Sequence, residues 1–307
     1  MLNLILAAAL LSDPVGTPVT LPSEPAPLHG TLLTPEGQTR AAALIIAGSG
    51  PTDRDGNSPL GVSASSYRLL AEGLATHGVA TVRTDKRGVG ASAFAGGREE
   101  DLRFTDYADD ARAWAAETAR LTGRPCAWLI GHSEGALVAL VAAGEGDDAI
   151  CGLVLLSGAG RPIGAVLREQ LAGVPEPFHG QALAILAELE AGRPVAEVPP
   201  QLAALFRPSV QPYMISWLPL DPAELVAAYP GPVMVGHGTT DIQVSVAEAE
   251  TLAAAAPDAT LQVWEGVNHL LKIAPADRAA NAATYRDPDL PLAPGVVEDI
   301  AGFILRR

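Results

Sequence analysis

The pentapeptide Gly131-His132-Ser133-Glu134-Gly135 stands directly after an apolar run, residues 127–130, and opens a second apolar stretch, residues 135–143. The first run reads as a buried strand and the second as a helix. A G-x-S-x-G segment in that setting narrows the choice of fold sharply. Small residues two places either side of the serine let strand and helix approach without collision, and the serine is lifted out of the sheet on a tight, strained turn. The bland alternative is a glycine-flanked turn whose serine merely caps the helix.

The flanking sequence supplies the sheet that such a turn needs. Residues 17–21 and 28–34 alternate or cluster apolar residues between prolines and glycines, as an antiparallel hairpin at a sheet edge would. After them, strands at 43–47, 79–84, 127–130 and 153–157 alternate with helices at 65–77, 106–121 and 135–143. That alternation predicts an α/β fold with a mostly parallel central sheet, right-handed crossovers and helices on both faces, its strands apolar throughout. The pattern breaks over 159–231, a proline-punctuated stretch with a helix at 181–190 and no convincing strand. We read it as an inserted helical cap. Strand 233–236, helix 247–255, strand 261–265 and helix 295–305 then resume the alternation, so residues 17–158 and 232–307 are expected to form one core.

Composition removes several classes of partner. A formal net charge of −15 over 307 residues excludes the basic surface that a nucleic-acid groove requires. No later apolar run approaches the ~20 residues of a membrane span. Residues 1–11 are apolar and resemble the core of a secretory signal, yet no Lys or Arg precedes them. Residues 1–16 are therefore read as a signal-like or frayed segment; a cytoplasmic location is favoured, and an exported or periplasmic one follows if 1–11 is a signal. Cys126 and Cys151 each begin an apolar run, and two buried free thiols are expected, because adjacent strands seldom offer disulfide geometry.

A serine hydroxyl is a weak nucleophile until a base takes its proton, so Ser133 demands a histidine within reach. Of six histidines, His269 is best placed, in a loop after strand 261–265 at the sheet edge where the elbow emerges. His132 should turn away from the serine and pack. His237 lines the site or is structural, while His29, His77 and His179 read as surface or packing residues, His179 with an alternative place in the cap's pocket. The histidine needs a carboxylate on its other nitrogen, and Asp241 fits, giving the chain order Ser, Asp, His; Glu265 and Asp258 are the fallbacks. For the oxyanion, the backbone N–H of Glu134 and of Ser49, in the Gly48-Ser49-Gly50 turn, are the expected donors. No Lys follows that turn as a phosphate-cradling loop would require. Phe178, Leu183, Phe206, Tyr213, Met214, Trp217 and Leu218 give the cap apolar and aromatic material, either to grip substrate or as its own small core.

The runs Gly48-Ser49-Gly50-Pro51-Thr52-Asp53-Arg54-Asp55-Gly56-Asn57, Asp85-Lys86-Arg87-Gly88-Val89-Gly90-Ala91-Ser92, Gly131-His132-Ser133-Glu134-Gly135 and Asn268-His269-Leu270 occur in this order over most of the chain. Together they resemble bacterial carboxylesterases of the α/β-hydrolase superfamily. The resemblance implies an α/β-hydrolase fold, hydrolysis of carboxylic esters of short to medium acyl chains, a small-molecule ester substrate, no metal and no organic cofactor. It also supports Ser133, Asp241 and His269. Many relatives carry histidine where this chain has Ala47, which should alter loop packing more than a backbone donor. For Asp53-Arg54-Asp55 the modest reading is a buried ion-pair network that fixes the oxyanion loop, the sharper one direct substrate contact. Residues 85–92 read as a structural turn. Thioester or amide hydrolysis, carbon–carbon cleavage, acyl transfer and a noncatalytic ligand-binding role remain alternatives on the same fold.

Overall fold

A computed structural model describes residues 16–144 and 146–306; the signal-like reading of the amino terminus falls outside them. Strands β1 (Thr17–Leu21), β2 (Leu28–Leu33), β3 (Ala41–Ile46), β4 (Val79–Thr84), β5 (Ala127–His132), β6 (Ile150–Leu156), β7 (Val233–Gly238) and β8 (Thr260–Trp264) form one sheet in the order β1-β2-β4-β3-β5-β6-β7-β8. β1 and β2 are the expected antiparallel edge, and every pairing from β4 to β8 is parallel. Between the strands run α1 (Ser66–Thr76), α2 (Phe104–Thr122) and α3 (Glu134–Ala143). Between β6 and β7 come α4 (Ile163–Leu171), α5 (Phe178–Glu190), α6 (Ala203–Phe206), α7 (Gln211–Trp217) and α8 (Pro222–Ala228). The chain closes with α9 (Val246–Ala255), α10 (Arg278–Ala283) and α11 (Val296–Leu305).

Side chains alternate across the pleat, so each central strand feeds two cores. On one face Leu44, Val82, Leu129, Leu155 and Val235 pack with Trp114 of α2 and Leu140 of α3. On the other, Ile45, Ile130, Val154 and Met234 meet Leu70 and Leu74 of α1 and Ile300 of α11. Helix α2 shows why such segments are helical. Phe104, Ala108, Ala111, Trp114, Ala115 and Ala119 recur at helical spacing and are buried, and Gly123 ends the helix at φ 65°. β8 departs from the all-apolar expectation: it lies at the sheet edge, and Leu261 and Val263 are 38% and 37% exposed.

The insertion between β6 and β7 builds a third cluster, in which Leu167, Ile185, Leu186, Phe206, Met214 and Leu218 bury one another. Its far end belongs to the sheet, since Tyr213, Val226 and Tyr229 join the core beneath α2 and α3. Among the described residues no helix is long and apolar enough to cross a membrane.

The expectation of free thiols is overturned, because Cys126 and Cys151 form a disulfide with Cα atoms 5.2 Å apart. The register explains it. Ala127 pairs with Ile150 but Trp128 with Gly152, so Cys151 is the extra residue of a bulge and lies opposite the chain just before β5. The bridge closes a loop of 25 residues, for which chain entropy suggests about 3 kcal/mol of stabilisation. Dithiothreitol should therefore lower the thermal midpoint by several degrees while leaving the far-UV circular dichroism of the folded state unchanged; an unmoved midpoint would deny the bridge a stabilising role.

Candidate active site

The elbow between β5 and α3 is as tight as its glycines require. A Cβ on Gly131 would lie 2.2 Å from the Gly135 carbonyl oxygen, and one on Gly135 would lie 2.4 Å from that of Ile46. Neither position tolerates a side chain. Ser133 between them has φ 55° and ψ −122°, a conformation disfavoured for any residue but glycine, and its N–H is held by the Leu156 carbonyl at 2.8 Å.

His269 and Asp241 meet from two neighbouring loops. His269 Nδ1 lies 2.6 Å from Asp241 Oδ2, and both side chains are almost wholly buried. The other oxygen, Asp241 Oδ1, accepts the N–H groups of Gln243 at 2.8 Å and Val244 at 3.0 Å. Burial alone would raise this carboxyl; the His269 charge and hydrogen bond, with the two N–H donors, outweigh it and hold the group below its ordinary range. Glu265 and Asp258 are exposed, and Asp241 is the partner. His237 is buried beside Asp241, with Nε2 on the Val244 carbonyl at 3.0 Å, so it packs behind the carboxylate. The His269 loop is pinned by Asn268, whose Oδ1 accepts from Leu270 and Lys272 and whose Nδ2 reaches Thr284, and by Ser66 Oγ on the Leu270 carbonyl at 2.8 Å. Ser133 Oγ makes no hydrogen bond to the His269 ring, a contact that in unliganded hydrolytic sites often tightens only with substrate.

His132 packs, as its place in the elbow predicts, and it also links two loops. Its Nε2 lies 2.7 Å from the His269 carbonyl, which can only accept, so Nε2 carries the proton. Nδ1 must then accept from the Tyr67 hydroxyl at 2.8 Å, and the Tyr67 oxygen accepts the Gly48 N–H at 3.0 Å. Lys86 Nζ grips the other side of the same residue, donating to the Gly48 carbonyl at 2.5 Å. Gly48 is thereby fixed over the elbow, where a Cβ would come within 3.1 Å of Ser133 Cβ. Tyr67 and Lys86 were invisible as site residues in the sequence, since neither belongs to a pattern that points at the serine.

Burial, then repulsion from His269, brings the His132 pKa down to about 3. The unfolded chain, with an ordinary value near 6.5, binds a proton below that pH which the folded chain does not. The contribution of neutral His132 is therefore complete above pH 6.5 and is lost as pH falls toward 3. Urea titrations between pH 6.5 and 4 should show a fall of up to about 1.4 kcal/mol per pH unit from this residue. His132→Gln should flatten the profile by that slope, and an unchanged slope would sink the assignment.

The run after Gly48 is an ion-pair network, half-buried. Arg54 binds Asp85 through both its N–H at 2.9 Å and its guanidinium at 2.5 Å, Arg83 pairs with Asp55, and Asp53 Oδ1 accepts the N–H groups of Asp55 and Asn57. The ion pairs expected of Asp53-Arg54-Asp55 are present, but half-buried rather than buried. Ser49 is exposed at the tip, and its N–H has no partner among the described residues; Glu134 is the first residue of α3.

A cavity of about 460 Å³ adjoins this centre, lined among others by Gly50, Pro51, Lys86, Tyr107, Glu134 and Tyr213. Of the insertion's candidate substrate contacts, only Tyr213 lines it. Phe206 and Met214 are buried in the third cluster with Leu218, Phe178 and Leu183 pack against that cluster, and Trp217 stacks on Phe104 at 5.9 Å.

Comparison with known proteins agrees with this architecture. A family model described as serine aminopeptidase, S33 (Hydrolase_4) matches residues 60–200, somewhat under half of the chain. No curated protein matches. The chain is similar to Est1E from Butyrivibrio proteoclasticus with ferulic acid bound, at 18% identity and TM-score 0.62, over 94% of this chain and 100% of that one. It is similar also to proline iminopeptidase from Mycobacterium smegmatis, at 16% identity and TM-score 0.58, over 94% and 98%. For the esterase domain of a Rhodothermus marinus protein the values are 19% and 0.56, over 95% and 98%. Sheet order, elbow and these likenesses together give the chain the α/β-hydrolase fold.

Proposed function

We propose that the protein is a serine esterase that hydrolyses carboxylic esters, of short to medium acyl chains, through an acyl-enzyme. The observation that carries this reading is the 2.6 Å contact of His269 Nδ1 with Asp241 Oδ2, beside a serine held at φ 55° on its elbow. With Nδ1–H given to Asp241, His269 Nε2 is left as the acceptor for the Ser133 proton. Ser133 Oγ attacks the ester carbonyl, the oxyanion is held by the N–H groups of Glu134 and Ser49, and His269 returns the proton to the leaving alcohol. Water, activated by the same nitrogen, then releases the acid and restores Ser133. The insertion acts as a cap over residues 159–231.

A peptidase reading rests on the serine aminopeptidase family model, and the same triad would serve it. The test treats purified protein with a fluorophosphonate probe and compares p-nitrophenyl acetate and longer acyl esters with aminoacyl p-nitroanilides. Labelling with faster ester turnover supports the esterase; labelling with faster anilide turnover moves the peptidase forward. Protein that neither labels nor turns over is a ligand-binding member of the fold.

A further inference from the structure

Glu134 carries a buried carboxylate beside the elbow. Its side chain is 5% exposed, and Lys86 Nζ stands 3.8 Å from its Oε1, an ion pair longer than a good hydrogen bond. Lys86 is equally enclosed, spends one proton on the Gly48 carbonyl, and lies over the Tyr107 ring at 5.3 Å. The Tyr213 hydroxyl is buried close to Glu134 but makes no hydrogen bond of good geometry. All four residues line the same cavity. Burial pushes the Glu134 carboxyl up and the Lys86 ammonium down, each partly offset by the other. Buried polar groups held at less than good hydrogen-bond geometry carry an uncompensated desolvation cost, and a ligand that completes their bonds recovers it.

The charges limit what that ligand can be. An ammonium would meet Lys86, and a carboxylate would meet Glu134. A neutral hydroxyl meets neither penalty, because it donates to the carboxylate and accepts from the ammonium. A single oxygen can stand at about 2.8 Å from both atoms across a 3.8 Å gap. Resting on the esterase reading above, we propose that Glu134 and Lys86, with Tyr213, bind a hydroxyl group of the substrate, so that the preferred esters carry a hydroxyl on their acyl or their alcohol part.

The test measures kcat/KM for matched pairs of esters that differ only in one hydroxyl, one series with hydroxyacyl groups and one with polyol alcohols. Wild-type protein should favour the hydroxylated member of one series about 30-fold, the worth of hydrogen bonds to charged groups. The series that shows it tells which side of the ester is read. The ratio within each variant is compared, which cancels general damage to the site. Glu134→Leu should bring the ratio near one, Glu134→Gln should keep part of it, and Tyr213→Phe, a smaller change, should lower it several-fold. Fluorophosphonate labelling of the wild type with a ratio near one in both series overturns the hydroxyl site and leaves the hydrolase standing. Absence of labelling overturns both.

Discussion

Replacing Ser133 by alanine should lower kcat for a p-nitrophenyl ester by about a million-fold and abolish fluorophosphonate labelling. Ser133 is the one side chain on the elbow that the fold presents at φ 55°, between glycines that admit no Cβ. Alanine accepts that backbone no worse than serine does, so the variant should keep the wild-type thermal midpoint. Loss of activity with unchanged stability is then assignable to the missing hydroxyl. Residual turnover near the wild-type level would mean that another group performs the chemistry, and a strongly lowered midpoint would mean that the serine is structural.

Asp241→Asn should reduce kcat by about ten thousand-fold with little change in KM. The two oxygens of Asp241 have different duties, and the amide cannot serve both. Oδ1 accepts two backbone N–H groups, those of Gln243 and Val244, so the asparagine must keep its carbonyl oxygen there. Its NH2 is then turned toward His269, where Oδ2 accepted before. Facing a donor, Nδ1 gives up its proton and Nε2 takes it, leaving no lone pair to receive the Ser133 proton. Comparing kcat with KM, and collecting a crystal structure that fixes the amide orientation, checks both parts of the claim. A loss of less than tenfold would remove Asp241 from the mechanism.

The elbow was legible because its geometry is local: strand, turn and helix are contiguous, and the two glycines declare the close approach on either side of the serine. The meeting of Asp241 with His269 was legible one step less directly, through their positions after β7 and β8. What escaped was contact between distant segments. Nothing in Tyr67, a helix residue with an apolar ring, says that its hydroxyl joins Gly48 to His132. Lys86 read as part of a turn because the peptide it holds lies 38 residues earlier. The cysteine pair was misread for the same reason, since a one-residue bulge cannot be seen in two apolar runs taken separately. The insertion was recognisable as helical, but which of its aromatic residues face the cavity depends on how its helices pack.

The third cluster makes much of the insertion an exchangeable part. Helices α4 to α6 bury their apolar faces chiefly against one another, whereas Tyr213, Val226 and Tyr229 remain with the sheet. A change of length or sequence within α4 to α6 therefore falls on a small core of its own, far from the registers that hold β5, β7 and β8 together. Such a chain can vary this helical insertion without relearning how to fold its sheet.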